Sequence, residues 1–332
     1  MSASVSTSTP APMVRPALDP DLAAVHRGIP TLDVGTDEER AAYREFLHTI
    51  FTLQNTLRGK EETVVSEERD IPGPAGPMRA TIFRPKHQTH SVDEIPGVLH
   101  IHGGGLSSGN RYLGLTVLDW VETLGAVVVT AEYRLAPEHP HPAPLEDSYA
   151  ALQWMSAHAA ELGFSPRNLV VTGGSAGGNL AAGVALLARD RQGPTLRGQV
   201  LMYPWLDDRT DWPSVHQYGD IAPVTEADLL DASTLAFGAN HEHADLYTAP
   251  TRAPDLSGLP PTFLDVGAAD VFRDQDLAYA AALWRDGVAT ELHVWPGAWH
   301  GFDVFAPDAP ISRRAGAARL DWMRRLFSSD RA

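Results

Sequence analysis

The chain of 332 residues contains no cysteine. It can therefore hold no disulfide, use no thiolate nucleophile, and offer no sulfur ligand to a metal. Absence of cysteine is compatible with every compartment. Long apolar runs are also missing. None approaches the ~18 residues that a membrane-spanning helix needs. The opening MSASVSTSTPAPMVRP lacks the apolar stretch of a secretory leader. Basic residues are few: 26 Lys and Arg against 42 Asp and Glu leave a net charge of −16. A nucleic-acid partner would demand a basic face, and an anionic membrane surface would repel this chain. The expectation is a cytoplasmic protein with neither nucleic acid nor membrane as its partner.

What is present is ordinary globular composition, 43% hydrophobic and 20% charged, in a length that suits one large domain with additions. Residues 1–20 are rich in Ser, Thr, Pro and Ala and read as disordered. Residues 36–60 read as an amphipathic helix with an acidic first turn. Beyond residue 60, short apolar runs alternate with helical patterns. Thr63–Val65 and Met78–Phe83 flank a turn at IPGPAGP. Strands are expected at Gly97–His102, Ala126–Tyr133, Asn168–Thr172, Gly198–Tyr203, Pro261–Val266 and Glu291–Trp295. Helices are expected at Leu145–Leu162, Ala176–Arg191, Asp274–Arg285 and 310–327. Such alternation predicts an α/β protein with a mostly parallel sheet covered by helices on both faces. Two stretches break it: the segment 21–60, and an insertion from Trp205 to about His243 with a helix from Thr225. Both are expected to form one helical cap over a catalytic domain at 61–332.

Three local patterns carry chemistry. Gly173-Gly174-Ser175-Ala176-Gly177 matches G-x-S-x-G and lies between the strand NLVVT and an alanine-rich helix. A serine on so tight a strand-to-helix turn needs glycine two residues away on either side. Its hydroxyl is then presented above the sheet, and the N–H of Ala176 points at a developing oxyanion. His102-Gly103-Gly104-Gly105 follows the strand GVLHIH. Glycines there let a second stretch of main chain approach the same oxyanion. No G-K-[ST] follows, so a phosphate-binding loop is unsupported. His300, in PGAWHGF after the last strand, is placed to serve as a base, and its acid should end the preceding strand. Asp270 fits best. Asp274 is next and reads as the N-cap of the following helix; Asp265 falls inside the strand.

HGGG at 102–105, EYRLAPEHP at 132–140, PLEDSYAAL at 144–152, GGSAGG at 173–178, LSGLPPTFLDVGAADVFRD at 256–274 and HGF at 300–302 together resemble the bacterial hormone-sensitive-lipase-like esterases. That resemblance spans about residues 95–325. It implies the α/β-hydrolase fold with a helical cap, and a serine carboxylesterase acting on short- to medium-chain esters without a cofactor. Ser175, Asp270 and His300 match the family triad, and Gly104, Gly105 and Ala176 match the oxyanion-hole donors. One departure stands out: Gly174 occupies a position where the family usually has Asp or Thr. The segment Leu106-Ser107-Ser108-Gly109 is also less aromatic than usual, which implies a roomier acyl pocket.

Trp205 and Leu106 are expected to touch substrate. Trp212, Trp295 and Trp299 are read as core or cap packing as readily as pocket lining. The histidines at 139, 141, 241 and 243 do not have convincing metal spacing, and no metal is expected. Asp207-Asp208 reads as a solvated loop. The same triad would also suit an amidase, a lactone hydrolase or an acyltransferase. A ligand-binding pseudohydrolase would lack a triad member, and none is missing here. The oligomer is left open, a homodimer among the options.

Overall fold

The computed structural model describes residues 14–241 and 243–328. Of the segment read as disordered, residues 1–13 lie outside the described residues, as does Glu242 of the polar loop at 241–243. The chain begins with α1 (Pro20–His26), α2 (Asp37–Ile50) and α3 (Leu53–Thr56). Thr36 and Glu39 form a reciprocal capping box at the start of α2. The single helix expected over 36–60 ends at Phe51, whose extended ψ breaks the helix, and Thr52 caps α3 anew.

The sheet strands are β1 (Val64–Gly73), β2 (Gly76–Pro85), β3 (Gly97–Ile101), β4 (Val127–Ala131), β5 (Leu169–Gly174), β6 (Gly198–Met202), β7 (Thr262–Gly267) and β8 (Thr290–Trp295). Their order is β1-β2-β4-β3-β5-β6-β7-β8. The pairs β1/β2 and β2/β4 are antiparallel and the rest are parallel. Between them run α4 (Asp119–Leu124), α5 (Ala143–Ala157), α6 (Ala159–Leu162), α7 (Ala176–Asp190), α8 (Pro213–Tyr218), α9 (Glu226–Phe237), α10 (Arg273–Arg285), α11 (Phe302–Phe305) and α12 (Pro310–Ser328).

β3, β5, β6 and β7 are mostly apolar and buried along nearly their whole length because both sheet faces are covered. The hairpin β1–β2 runs far beyond the short runs expected from sequence. Its outer strand faces solvent, so Ser66-Glu67-Glu68-Arg69-Asp70 shows no apolar signal. Cross-strand charge pairs hold it instead, including Arg79 to Glu68 at 2.7 Å. Helix α7, rich in Gly and Ala, is buried almost throughout and packs closely under β3, β5 and β6.

The two stretches that broke the alternation meet one another. His26 Nε2 donates to Ala222 O at 2.8 Å and Leu32 N donates to Pro223 O at 2.9 Å; ahead of the first stretch, Arg15 pairs with Asp220 of the insertion. Asp207 and Asp208 are buried rather than solvated. Asp207 is paired with Arg209 and bonded to Thr251, while Asp208 takes His241 Nδ1 at 2.7 Å and Arg252 Nη2 at 2.6 Å. Arginines close and remote in sequence supply the charge that makes such burial tolerable. These two aspartates pin the base of the insertion to the domain.

Candidate active site

Every element expected to bear chemistry ends on the same edge of the sheet, at the carboxyl ends of the parallel strands. Ser175 follows β5, Asp270 follows β7 by three residues, His300 follows β8 by five, and His102–Gly105 follow β3. Ser175 has φ 57° and ψ −126°, a strained conformation for a residue with a side chain. Its surroundings force the flanking glycines: a Cβ at Gly173 would lie 2.3 Å from Gly177 O, and one at Gly177 would lie 2.1 Å from Ile101 O.

His300 Nε2 lies 2.9 Å from Ser175 Oγ, and His300 Nδ1 lies 2.9 Å from Asp270 Oδ2. Asp270 is fully buried and His300 nearly so. The other Asp270 oxygen accepts the N–H of Phe272 at 2.9 Å. These contacts fix one arrangement: Nδ1–H donates to Asp270, and the Nε2 lone pair accepts the serine proton. Asp265 lies elsewhere, bonded to Arg319 and Trp295. Asp274 is not the N-cap of α10, which begins at Arg273. Its Oδ2 accepts Ser214 N at 2.9 Å and its Oδ1 takes Arg273 Nε at 2.7 Å, so it fastens α8 to α10.

Gly104, Gly105 and Leu106 have consecutive positive φ values of 108°, 62° and 60°. Gly104 is obligatory, because a Cβ there would lie 2.2 Å from Ser108 O. The turn is braced from both sides. Tyr133 OH donates to His102 O at 2.9 Å, and the two rings stack at 4.1 Å. Burial pushes the His102 pKa down, so its neutral ring donates Nδ1–H to Gly103 O at 2.8 Å. From α2, Arg44 donates to Ser107 O at 2.7 Å and to Ala136 O at 2.8 Å, and forks onto Glu138. Among the described residues, no protein acceptor takes the N–H of Gly104, Gly105 or Ala176.

A pocket of about 750 Å³, including its open mouth, lies over Ser175 and His300. Trp205 lines it as expected. Leu106, at a φ of 60°, is not part of the lining; its side chain is buried in the core. Leu113, Val304 and Phe305 supply the wall instead. Trp212, Trp295 and Trp299 stay outside the lining; Trp299 packs on His26 at 5.4 Å and Trp295 bonds Asp265. Leu32, Tyr43 and Leu47 from the N-terminal segment, with Val224, Leu229 and Ala232 from the insertion, add to an apolar lining that also includes Tyr203 and Phe272. The i, i+4 spacing of Tyr43 and Leu47 on α2 and the i, i+3 spacing of Leu229 and Ala232 on α9 are helical-face signals in the sequence, whereas Leu32 and Val224 lie in loops and carry none. Among the described residues, no group of three His, Asp or Glu side chains could hold a metal, and no helix is long and apolar enough to cross a membrane.

Residues 98–304 match the family described as alpha/beta hydrolase fold. Carboxylesterase NlhH of Mycobacterium tuberculosis is 37% identical over 328 residues, covering 95% of this chain and 98% of that protein. The chain belongs to the α/β-hydrolase family, in its hormone-sensitive-lipase-like branch. Among solved structures this hydrolase is similar to a bacterial heroin esterase, with a TM-score of 0.85, 34% identity, and coverage of 94% of this chain and 99% of the other. It is also similar to esterase LipW from Mycobacterium marinum, with a TM-score of 0.83, 33% identity, and coverage of 93% and 96%.

One buried group of the hydrolase has a pH consequence. Asp276 on α10 is fully buried, and neither of its oxygens has a hydrogen-bond partner among the described residues. Burial, and then the nearby Asp270, raise its pKa well above the usual carboxylate value, so it stays protonated. A folded pKa raised above the unfolded one contributes stability that is complete below the unfolded pKa. That stability is lost as pH rises toward the folded pKa. Asp276→Asn removes the proton that must be kept. The variant should gain on wild type as pH rises, with a Tm advantage at pH 8 larger than at pH 5 by about 2–4 °C. Thermal melts at the two pH values check this; an advantage that shrinks with pH contradicts a protonated Asp276.

Proposed function

We propose that the hydrolase cleaves carboxylic esters with short- to medium-length, uncharged acyl groups, through an acyl-enzyme on Ser175. The observation that carries this reading is the unbroken chain Ser175–His300–Asp270, with both links at 2.9 Å, opening on an apolar pocket. The printed names of the relatives, carboxylesterase and esterases, favour the same bond.

Ser175 Oγ attacks the carbonyl carbon while His300 Nε2 takes the hydroxyl proton, and Asp270 stabilises the imidazolium that forms. The carbonyl oxygen becomes an oxyanion and accepts from the N–H groups of Gly104, Gly105 and Ala176. His300 then returns its proton to the alcohol oxygen as the C–O bond breaks. Water repeats the sequence on the acyl-enzyme, releases the acid and restores Ser175. Segments 21–60 and 205–243 act together as a cap, since each lines the pocket and each is bonded to the other.

The pocket defines the acyl class. None of the described residues lining it is Lys, Arg, Asp or Glu. An anionic acyl chain would lose its water without gaining a counter-ion, at a cost of several kcal/mol. Bulky side chains close the apolar walls, which favours acyl groups of about two to eight carbons. A p-nitrophenyl ester series tests this. Rates should peak within that range, and a hemisuccinate should fall at least about 100-fold below the butyrate in kcat/KM. Faster turnover of palmitoyl than of butyryl esters overturns the reading.

A further inference from the structure

Asp270 is one of three groups that hold His300. The Phe272 ring meets the imidazole edge-on, with centroids 4.9 Å apart and planes at 87°. The Tyr203 ring meets it at 5.1 Å and 76°. Tyr203 is the first residue past β6, and its φ of 37° is a left-handed conformation that costs a bulky residue strain. Strain at such a position persists only when the surroundings over-determine it.

Here they do. Tyr203 N donates to Asp265 O at 2.6 Å, and Tyr203 OH donates to Asp303 Oδ1 at 2.7 Å. Burial, and next the Asp303 carboxylate, push the phenol pKa well above its usual value, so the hydroxyl remains a donor. Asp303 pairs with Arg319 of α12. Arg319 Nε and Nη2 reach Asp265 at 3.0 and 3.1 Å, and Trp295 Nε1 donates to Asp265 at 2.9 Å. All three charged residues are buried. Desolvation offsets most of what such a network gains in attraction, so its clearest product is a fixed geometry.

Gly174 completes the arrangement. A Cβ there would lie 3.1 Å from Tyr203 Cε2 and 3.4 Å from its hydroxyl oxygen. Gly174 does not have a positive φ, so its backbone does not require glycine. The missing side chain is space that the Tyr203 ring uses.

We propose that Tyr203 is a positioning residue for His300. Its ring, fixed by the Asp303–Arg319–Asp265 chain and admitted by the bare Gly174, keeps the imidazole in line between Asp270 and Ser175. This rests on the reading of Ser175 as nucleophile and His300 as base. The ring has no part in bond making. It restricts rotation of the imidazole as the proton passes from Ser175 to the leaving alcohol, so its loss lowers kcat; the ring also lines the pocket, so the positioning effect is read from kcat and from Tyr203→Phe, which keeps the ring.

The test is a double-mutant cycle on p-nitrophenyl butyrate with Tyr203→Leu, Gly174→Thr and their combination, beside Tyr203→Phe. Tyr203→Phe removes one hydrogen bond and should lose about fivefold in kcat, with KM within about twofold. Tyr203→Leu should lose about 30-fold. Gly174→Thr should lose about tenfold alone and less than about twofold in the Tyr203→Leu background, because its harm passes through the ring. Equal losses from Gly174→Thr in both backgrounds, or wild-type kcat in both Tyr203 variants, overturn the proposal. Should Tyr203→Leu fail to fold, Tyr203→Phe and Gly174→Ala decide it. A kcat loss with unchanged KM and a Tm within a few degrees of wild type supports it, and a loss in KM or Tm alone overturns it. A fully active Ser175→Ala would instead remove the underlying assignment, and the same assay shows that separately.

Discussion

Ser175→Ala should leave a folded protein whose esterase turnover is lower by about 10⁴ or more. Alanine keeps the Cβ, so the strained φ of 57° and the packing of the flanking glycines do not change. Only the hydroxyl and its contact with His300 are lost. The fold should therefore be retained, with Tm within a few degrees of wild type. The remaining rate comes from backbone donors at Gly104, Gly105 and Ala176 acting on a water-attacked ester, which in serine proteases still exceeds the uncatalysed reaction by 10³–10⁴-fold. Steady-state assays with p-nitrophenyl butyrate and a thermal melt measure both quantities. The wild type should also show a burst of p-nitrophenol equal to the enzyme concentration if deacylation is slow, and the variant none. A variant that kept more than about a tenth of the wild-type rate would sink Ser175 as the nucleophile.

The parts of this site that were legible in the sequence are those where backbone geometry dictates residue type. Gly173 and Gly177 are forced by contacts near 2 Å, and Gly104 by its φ and by Ser108 O, so the elbow and the second loop stand out as glycine patterns. His300 and Asp270 were found through chain order, because each follows the end of a parallel strand and all such ends lie on one edge. What escaped depends on side-chain direction or on partners remote in sequence. Leu106 follows three glycines in the loop and looks placed for substrate, but it is the third residue in succession with a positive φ and its side chain is buried in the core. Asp207 and Asp208 resemble a wet loop until Arg209, Arg252 and His241 are seen to close on them. The edge strand β1 carries SEERD in place of an apolar alternation, since one side of it faces solvent. Tyr203, Asp303 and Arg319 carry no motif at all; 100 residues separate the tyrosine from the carboxylate its hydroxyl meets.

The acid of the triad gives the sharpest contrast between two neighbouring aspartates. Asp270→Asn preserves shape and can still accept the Phe272 N–H through its amide oxygen. The group then facing His300 Nδ1 is an NH₂, which donates where the carboxylate accepted. The imidazole must answer with a lone pair on Nδ1, which puts its proton on Nε2, opposite the Ser175 hydroxyl. In that tautomer His300 cannot take the serine proton, and no carboxylate stabilises the imidazolium. The comparable exchange in serine proteases costs about 10⁴ in turnover, and a loss of about 10³–10⁴ in kcat near neutral pH is expected here. KM should change little, because Asp270 does not line the pocket. Asp274→Asn is the matched control four residues on. It loses a partly exposed pair with Arg273 and keeps an oxygen for Ser214 N. Its cost should be at most about 1 kcal/mol of stability, with kcat within about twofold of wild type. Measuring kcat, KM and urea midpoints for both variants separates the roles. A crippled Asp274→Asn beside a nearly normal Asp270→Asn would reassign the acid.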